Sequence, residues 1–219
     1  VSFGQLFLGV LGGLQVTATV TAYGLLFAIP FALVFGVTQH LTSGAARIMI
    51  TAVIEFWRSS AVIILLFVFY YALPAFGIRL SATAVSSLVL GLNTGAYGSQ
   101  AIRAGLQSLD KGQLEAASAL GLRRQHSMLL VELPQAVRVM APTFVNELIQ
   151  LIKGTALVSL VTLSDMTFQA KQLAEIEYNP VGVYSALLLA YFVVCYPITI
   201  FGRWLERHTG GARSLSGEF

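Results

Sequence analysis

The sequence predicts an all-α, polytopic membrane protein: five transmembrane helices with one polar helical island between the third and the fourth. Three observations lead there. Hydrophobic residues make up 56% of the 219 and charged ones only 11%, with mean hydropathy +0.77, whereas soluble domains carry about 25% charged residues. Apolar stretches of the roughly 20 residues needed to cross a hydrocarbon core recur five times along the chain. Basic residues collect in alternate connections between those stretches.

The expected crossings are 14–37, 50–73, 83–102, 139–163 and 183–204. Residues 1–13 are too short to span and are expected along the interface. No Lys, Arg, Asp or Glu precedes Arg47, so the first stretch lacks the basic flank of a signal peptide and reads as a retained helix. Glu55 and Arg58 fall near the start of the second crossing. Gly91, Gly95 and Gly98 in the third suit close helix packing better than ligand contact. Pro30 and Pro197 read as helix kinks. The lone Cys195 excludes an internal disulfide and reads as a small buried hydrophobe.

Charge orients the bundle. Arg103, Lys111, Arg123, Arg124 and Arg138 lie between the third and fourth crossings, Arg203, Arg207 and Arg213 at the C-terminal end, and Arg47 after the first crossing. The opposite side holds Arg79 and Lys171. The positive-inside rule then places the N-terminus outside and the C-terminus in the cytoplasm, with the acidic loop 165–177 outside. A net charge of +3 without clustered basic residues does not suit nucleic-acid binding.

The island Glu115–Pro134 cannot lie in lipid and must face water or a protein partner. Asp110 with Gln113 has the form of a capping box. A short helix over 114–120 follows, and Gly121 suits a left-handed C-cap. A second helical run extends to Leu133, with Pro134 opening the next segment. Ala116, Ala117 and Ala119 keep the first helix slim enough for a groove, and Glu115 with Arg123 and Arg124 is placed to form ion pairs at its rim.

Glu115-Ala116-Ala117, Gly121 and Val131-Glu132-Leu133-Pro134 together resemble the EAA loop of ABC importer permeases. Leu92-Asn93-Thr94-Gly95-Ala96-Tyr97, the run from Arg103 to Glu115, Leu133-Pro134-Gln135-Ala136 with Arg138, and Asn146 to Leu157 resemble segments of the polar amino-acid importers of the histidine, glutamine, glutamate and arginine type. The resemblance covers nearly the whole chain. It implies one transmembrane domain over 1–219, with residues 103–138 as the cytoplasmic coupling loop in which Glu115, Ala116, Ala117, Gly121, Arg123 and Arg124 meet an ATPase.

The same resemblance implies a second permease subunit, identical or paralogous, two ATP-binding subunits that hold ATP and Mg, an extracytoplasmic solute-binding protein, and a bacterial inner membrane. No cofactor is expected in this chain, which lacks GxxxxGK[ST]. Two departures bear on the solute. Trp57-Arg58-Ser59-Ser60-Ala61-Val62 replaces the family's F-R-G-T-P-L, and Lys153-Gly154-Thr155-Ala156-Leu157 replaces K-D-T-S-L. The Ser-Ser-Ala variation and the Gly91–Tyr97 run resemble permeases for ectoine and hydroxyectoine.

Charged groups inside a membrane helix cost about 2.5–3.5 kcal/mol each on insertion scales and mark functional candidates. Glu147 and Lys153 are such groups. Asn146, Glu147 and Gln150 share a helical face by spacing, as do Asn93 and Tyr97. These five, with Glu147 foremost, are the substrate-pathway candidates, while Lys153 is more readily explained by snorkelling. His40, His126 and His208 lack metal-ligand spacing, and neither HExxH nor GxSxG occurs. An ion-gradient transporter or channel is the competing class; it accounts for the intramembrane charges but not for the island, and no internal repeat supports it.

Overall fold

The computed structural model describes residues 2–209, apart from the side chains of Lys111, Leu114 and Thr209; Arg213 lies outside the described residues. Every regular element among them is helical. In order they are α1 Phe3–Leu11, α2 Leu14–Leu41, α3 Gly44–Ser59, α4 Val62–Phe67, α5 Ala82–Gln107, α6 Lys111–Ala119, α7 Arg124–Ser127, α8 Leu133–Gly154, α9 Met166–Glu177 and α10 Pro180–Thr209. Three helical runs are long and apolar enough to cross a membrane, or four if the bent α3–α4 pair is one span. The expected third crossing, α5, is long enough at 26 residues, but its Ser, Gly, Asn and Thr make it less apolar.

Those small residues explain where α5 sits. It packs along α2 through Gly24, Ala28, Ala32 and Gly36 on one side and Gly91, Gly95, Gly98 and Ser99 on the other. A Cβ at Gly91 would stand 2.4 Å from the Gly24 carbonyl oxygen, one at Gly95 2.8 Å from that of Ala28, and one at Gly36 2.7 Å from that of Ser99. In lipid, such backbone contact replaces the hydrophobic drive that water would supply. The packing role expected for the three α5 glycines is the one they have.

The second crossing is not one helix. The run 62–76, made of α4, a π turn Val68–Ala72 and a 3₁₀ turn Leu73–Phe76, meets α3 at 94°. Ser60 and Ala61 are extended and break the hydrogen-bond ladder between them. Trp57, buried at the bend, packs on Phe56 and Phe69.

Pro134 does not interrupt its helix. A π turn, Met128–Glu132, joins α7 to α8, so helical structure runs from Arg124 to Gly154 and on through a 3₁₀ segment to Val161. The wider turn sits one turn ahead of Pro134, whose ring crowds the carbonyl four residues before it and whose nitrogen has no hydrogen to donate.

Helix α1 is held against the bundle. Leu6 and Val10 of α1 are buried against Met166, Ala170, Val183 and Ala186, so α1 packs on α9 and α10. The expected loop 165–177 is helix α9, because Asp165 caps it: its carboxylate accepts from the N–H groups of Thr167 at 3.1 Å and Phe168 at 3.0 Å.

Asp165 is fully buried. Burial pushes its carboxyl above the usual carboxylate range, and hydrogen bonds from Phe168, Thr167 and Tyr191 pull it back down. A carboxyl raised in the fold adds stability below its unfolded pKa and loses that contribution as pH rises through the folded value. Thermal stability in detergent is therefore expected to decline across the mildly acidic range. Asp165→Asn keeps a capping oxygen and should flatten the decline; an identical pH profile of Tm in the variant would contradict this assignment.

Candidate functional site

Two regions hold the candidate residues, one inside the bundle and one beyond its end. Inside, a cavity of about 400 Å³ is lined by Asn93 and Tyr97 of α5 and by Glu147 and Gln150 of α8, with Val62 and Leu157 among the apolar walls. The spacing of each pair places both members on the inward face of its helix. Asn146 is exposed and is not part of that lining. It sits one residue, about 100° of helical turn, from Glu147. Lys153 is likewise exposed and lines neither this cavity nor its neighbour.

The neighbour is an apolar cavity, also about 400 Å³, between α2, α5 and α8. Glu147 and Thr94 border both. The half-buried Glu147 carboxylate makes no ion pair among the described residues, although the charge of Arg58 reaches it.

Two of the lining residues also close the break in the second crossing. Asn93 Nδ2 donates to the Trp57 carbonyl at 2.7 Å, and the Tyr97 hydroxyl donates to the Arg58 carbonyl at 3.3 Å. Both carbonyls belong to the last turn of α3, where no helical partner exists. The Arg58 guanidinium lies 5.1 Å from the centre of the Tyr97 ring and pairs with Glu55 at 2.7 Å. What remains free toward the cavity is the Glu147 carboxylate, the whole Gln150 amide, the Asn93 side-chain carbonyl and the phenol oxygen, so that the one unpaired charge is negative. Such a lining favours a solute that brings hydrogen-bond donors and positive charge.

Beyond the bundle, Asp110 Oδ1 caps α6 by accepting from the Gly112 N–H at 2.8 Å. That single bond replaces the capping box expected with Gln113. At the other end the Leu122 N–H reaches the Ala117 carbonyl at 3.1 Å and the Gly121 N–H that of Ser118 at 3.0 Å. The pair of bonds is a Schellman motif, and it requires the left-handed Gly121, at φ 74°. Ala117 is buried under the turn, whereas Ala116 is exposed and Leu120 is 81% exposed. The helix thus presents a slim, partly apolar surface.

The ion pairs differ from those expected. Arg124 pairs with Glu132, which also accepts from the Ser127 hydroxyl at 3.0 Å. Arg123 is the exposed N-cap of α7, and Glu115, also exposed, makes no ion pair with Arg123, Arg124 or any other described side chain. Glu132 entered the sequence reading only as part of the Val131–Pro134 run, and a single acid in the apolar stretch Met128–Leu133 was its visible signal. A second unforeseen feature is the chain Gln100–Gln39–Thr51, each step 2.8 Å, which ties α5, α2 and α3 together.

The family model described as "binding-protein-dependent transport system inner membrane component" matches residues 24–211. A probable amino-acid ABC transporter permease protein of Sinorhizobium fredii is 35% identical over 207 residues, 91% of this chain and 87% of that one. A probable glutamine ABC transporter permease protein of Bacillus subtilis is 32% identical over 199 residues, 89% of this chain and 90% of that one. Among solved structures, an amino acid ABC transporter superposes with a TM-score of 0.78 at 29% identity, covering 95% of this chain and 99% of that one. With a match that takes in α5, the α6 turn and the cavity-lining part of α8, the chain belongs to the family of inner membrane components of binding-protein-dependent transport systems.

Proposed function

We propose that this permease carries a polar amino acid or an amino-acid-like solute inward, driven by ATP hydrolysed on separate subunits. One observation carries the reading. A single helical run from Arg124 to Val161 links the capped α6 turn at one end to Glu147 and Gln150 in the cavity wall. Its 38 residues make a rod of about 57 Å at 1.5 Å per residue. A push on α6 therefore reaches the cavity through continuous backbone.

The segment 103–138 is the coupling loop, with Glu115, Ala116, Gly121, Arg123 and Arg124 at the surface that meets the ATPase and Ala117 buried beneath them. The partners are a second permease subunit, two ATP-binding subunits that hold ATP and Mg, and an extracytoplasmic binding protein. The chain crosses an inner membrane five times, at α2, α3–α4, α5, α8 and α10, with its N-terminus outside. α5 counts as a crossing because its small polar residues face α2 instead of lipid. Copurification of an ATP-binding subunit, and solute-dependent ATP hydrolysis by the reconstituted complex, test the reading; a chain that transports without either would overturn it.

The solute is read from Glu147, with Asn93, Tyr97 and Gln150 around it. An unpaired carboxylate at a cavity wall is stabilised by a cationic group on the solute. Glu147→Gln is expected to cut uptake at least tenfold, the loss of about 1.4 kcal/mol of binding, while assembly is unchanged. Uptake of competing amino acids and of ectoine, measured side by side in both proteins, checks this; equal rates and equal selectivity would remove Glu147 from the pathway.

A further inference from the structure

Glu132 is 2% exposed and sits at the end of the π turn where the polar segment joins α8. Its Oε1 accepts from Arg124 and from Ser127, both on α7. Its Oε2 is buried with no hydrogen-bond partner among the described residues. A buried carboxylate is costly unless fully paired, and one left half-paired does little for stability.

A complementary group stands nearby. Arg103, on α5, has a buried Nε with no partner among the described residues. The two helices touch at this level. Ile102 and Leu106 of α5 pack with Met128 and Ala136, which bracket Glu132. A Cβ at Gly105 would stand 3.0 Å from the Ala136 carbonyl oxygen. His40, at the end of α2, lies in the fields of Arg124, Glu132 and Arg103 alike. An unused anionic acceptor and an unused cationic donor thus face the same junction from opposite helices.

We infer that Glu132 is a positioning residue of the transport cycle, a carboxylate shared between two arginines. In this conformation it holds α7 through Arg124. In the alternative conformation its second oxygen takes Arg103, so that displacement of the polar segment resets α5 against α8. The consequence reaches the cavity, because α5 carries Asn93 and Tyr97 while α8 carries Glu147 and Gln150. Two discrete pairings of one buried charge make a bistable contact, which is what transmission between distant sites requires. The inference rests on the reading that α6 docks on an ATP-driven partner.

The test uses the complete transporter in proteoliposomes, measuring solute uptake per ATP hydrolysed alongside recovery of the assembled complex. Glu132→Gln keeps the side-chain volume and an acceptor for Ser127. It should assemble, hydrolyse ATP without stimulation by solute-loaded binding protein, and lose about tenfold in uptake per ATP, within the usual span of coupling energies. Arg103→Gln should also lose coupling, Arg103→Lys less, and the double variant no more than Glu132→Gln alone, since the Arg103 pairing is already absent there. Full coupling in Arg103→Gln, or multiplicative losses in the double variant, would overturn the inference. So would a Glu132→Gln complex that fails to assemble beside a fully coupled Arg103→Gln, which would leave Glu132 a structural strut. A wild-type complex that hydrolyses ATP without uptake would instead overturn the transport reading beneath it.

Discussion

Gly91→Leu is expected to abolish the folded permease, leaving little or no monodisperse protein after detergent extraction. A Cβ there meets the Gly24 carbonyl oxygen at 2.4 Å and the Phe27 Cβ at 2.9 Å. The first obstacle is backbone, which cannot rotate away as a side chain does. Overpacking a well-filled site costs about 1–3 kcal/mol when neighbours can shift, and here α2 itself must move. Separating α2 from α5 forfeits the whole small-residue seam, against a total stability on the order of 5–15 kcal/mol. Gly4→Leu is the control, because a Cβ at Gly4 has nothing within 4 Å. Extraction yield and Tm measured on both variants decide the matter; a normally folded Gly91→Leu protein would refute the contact geometry.

Gly121→Val is expected to insert and fold in the membrane but to lose ATPase docking or the coupling of hydrolysis to uptake, by about tenfold or more. Space is not the obstacle, since a Cβ at Gly121 has nothing within 4 Å. The obstacle is the backbone at φ 74°, where an L-residue costs about 1–2 kcal/mol and a β-branched one is a genuine outlier. Relief of that strain unwinds the Schellman turn and re-aims α6 relative to α7. Asparagine tolerates the left-handed region, so the expected order of uptake is Gly, Asn, Ala, Val. Normal solute-stimulated hydrolysis together with normal uptake in Gly121→Val would remove α6 from the coupling role.

Much of the architecture was legible because lipid leaves few options. Apolar length predicted helices near 14–37, 83–102, 139–163 and 183–204, and each falls within or largely within an observed helical run. Gly121 was legible because few residues other than glycine close a helix in this way. The bend between α3 and α4 was not, since hydropathy averaged over 20 residues passes smoothly across Ser60 and Ala61, and no proline or glycine marks them. Helix α9 was missed although Asp165 carried the capping signal; its acidic, mixed composition outweighed that single residue.

The candidate site was legible only as helical faces. Spacing put Glu147 and Gln150 on the same side as each other, but it could not tell which neighbour of Glu147 turns outward, and Asn146 does. Pairing was harder still. Arg124 and Glu132 lie eight residues apart across a π turn, a separation that the i to i+4 geometry of an α-helix does not suggest.

Asn93 and Tyr97 have obligations on both of their sides. Each faces the cavity while also holding a carbonyl at the broken end of α3. A change at either position made to suit a new solute therefore also takes the partner from a backbone carbonyl at the break, and folding suffers together with recognition. Glu147 and Gln150 have no such second duty among the described hydrogen bonds. Divergence of solute preference within this architecture, whether by selection or in the laboratory, is thus channelled to the α8 wall. The α5 wall is held nearly fixed by a fault in a different helix.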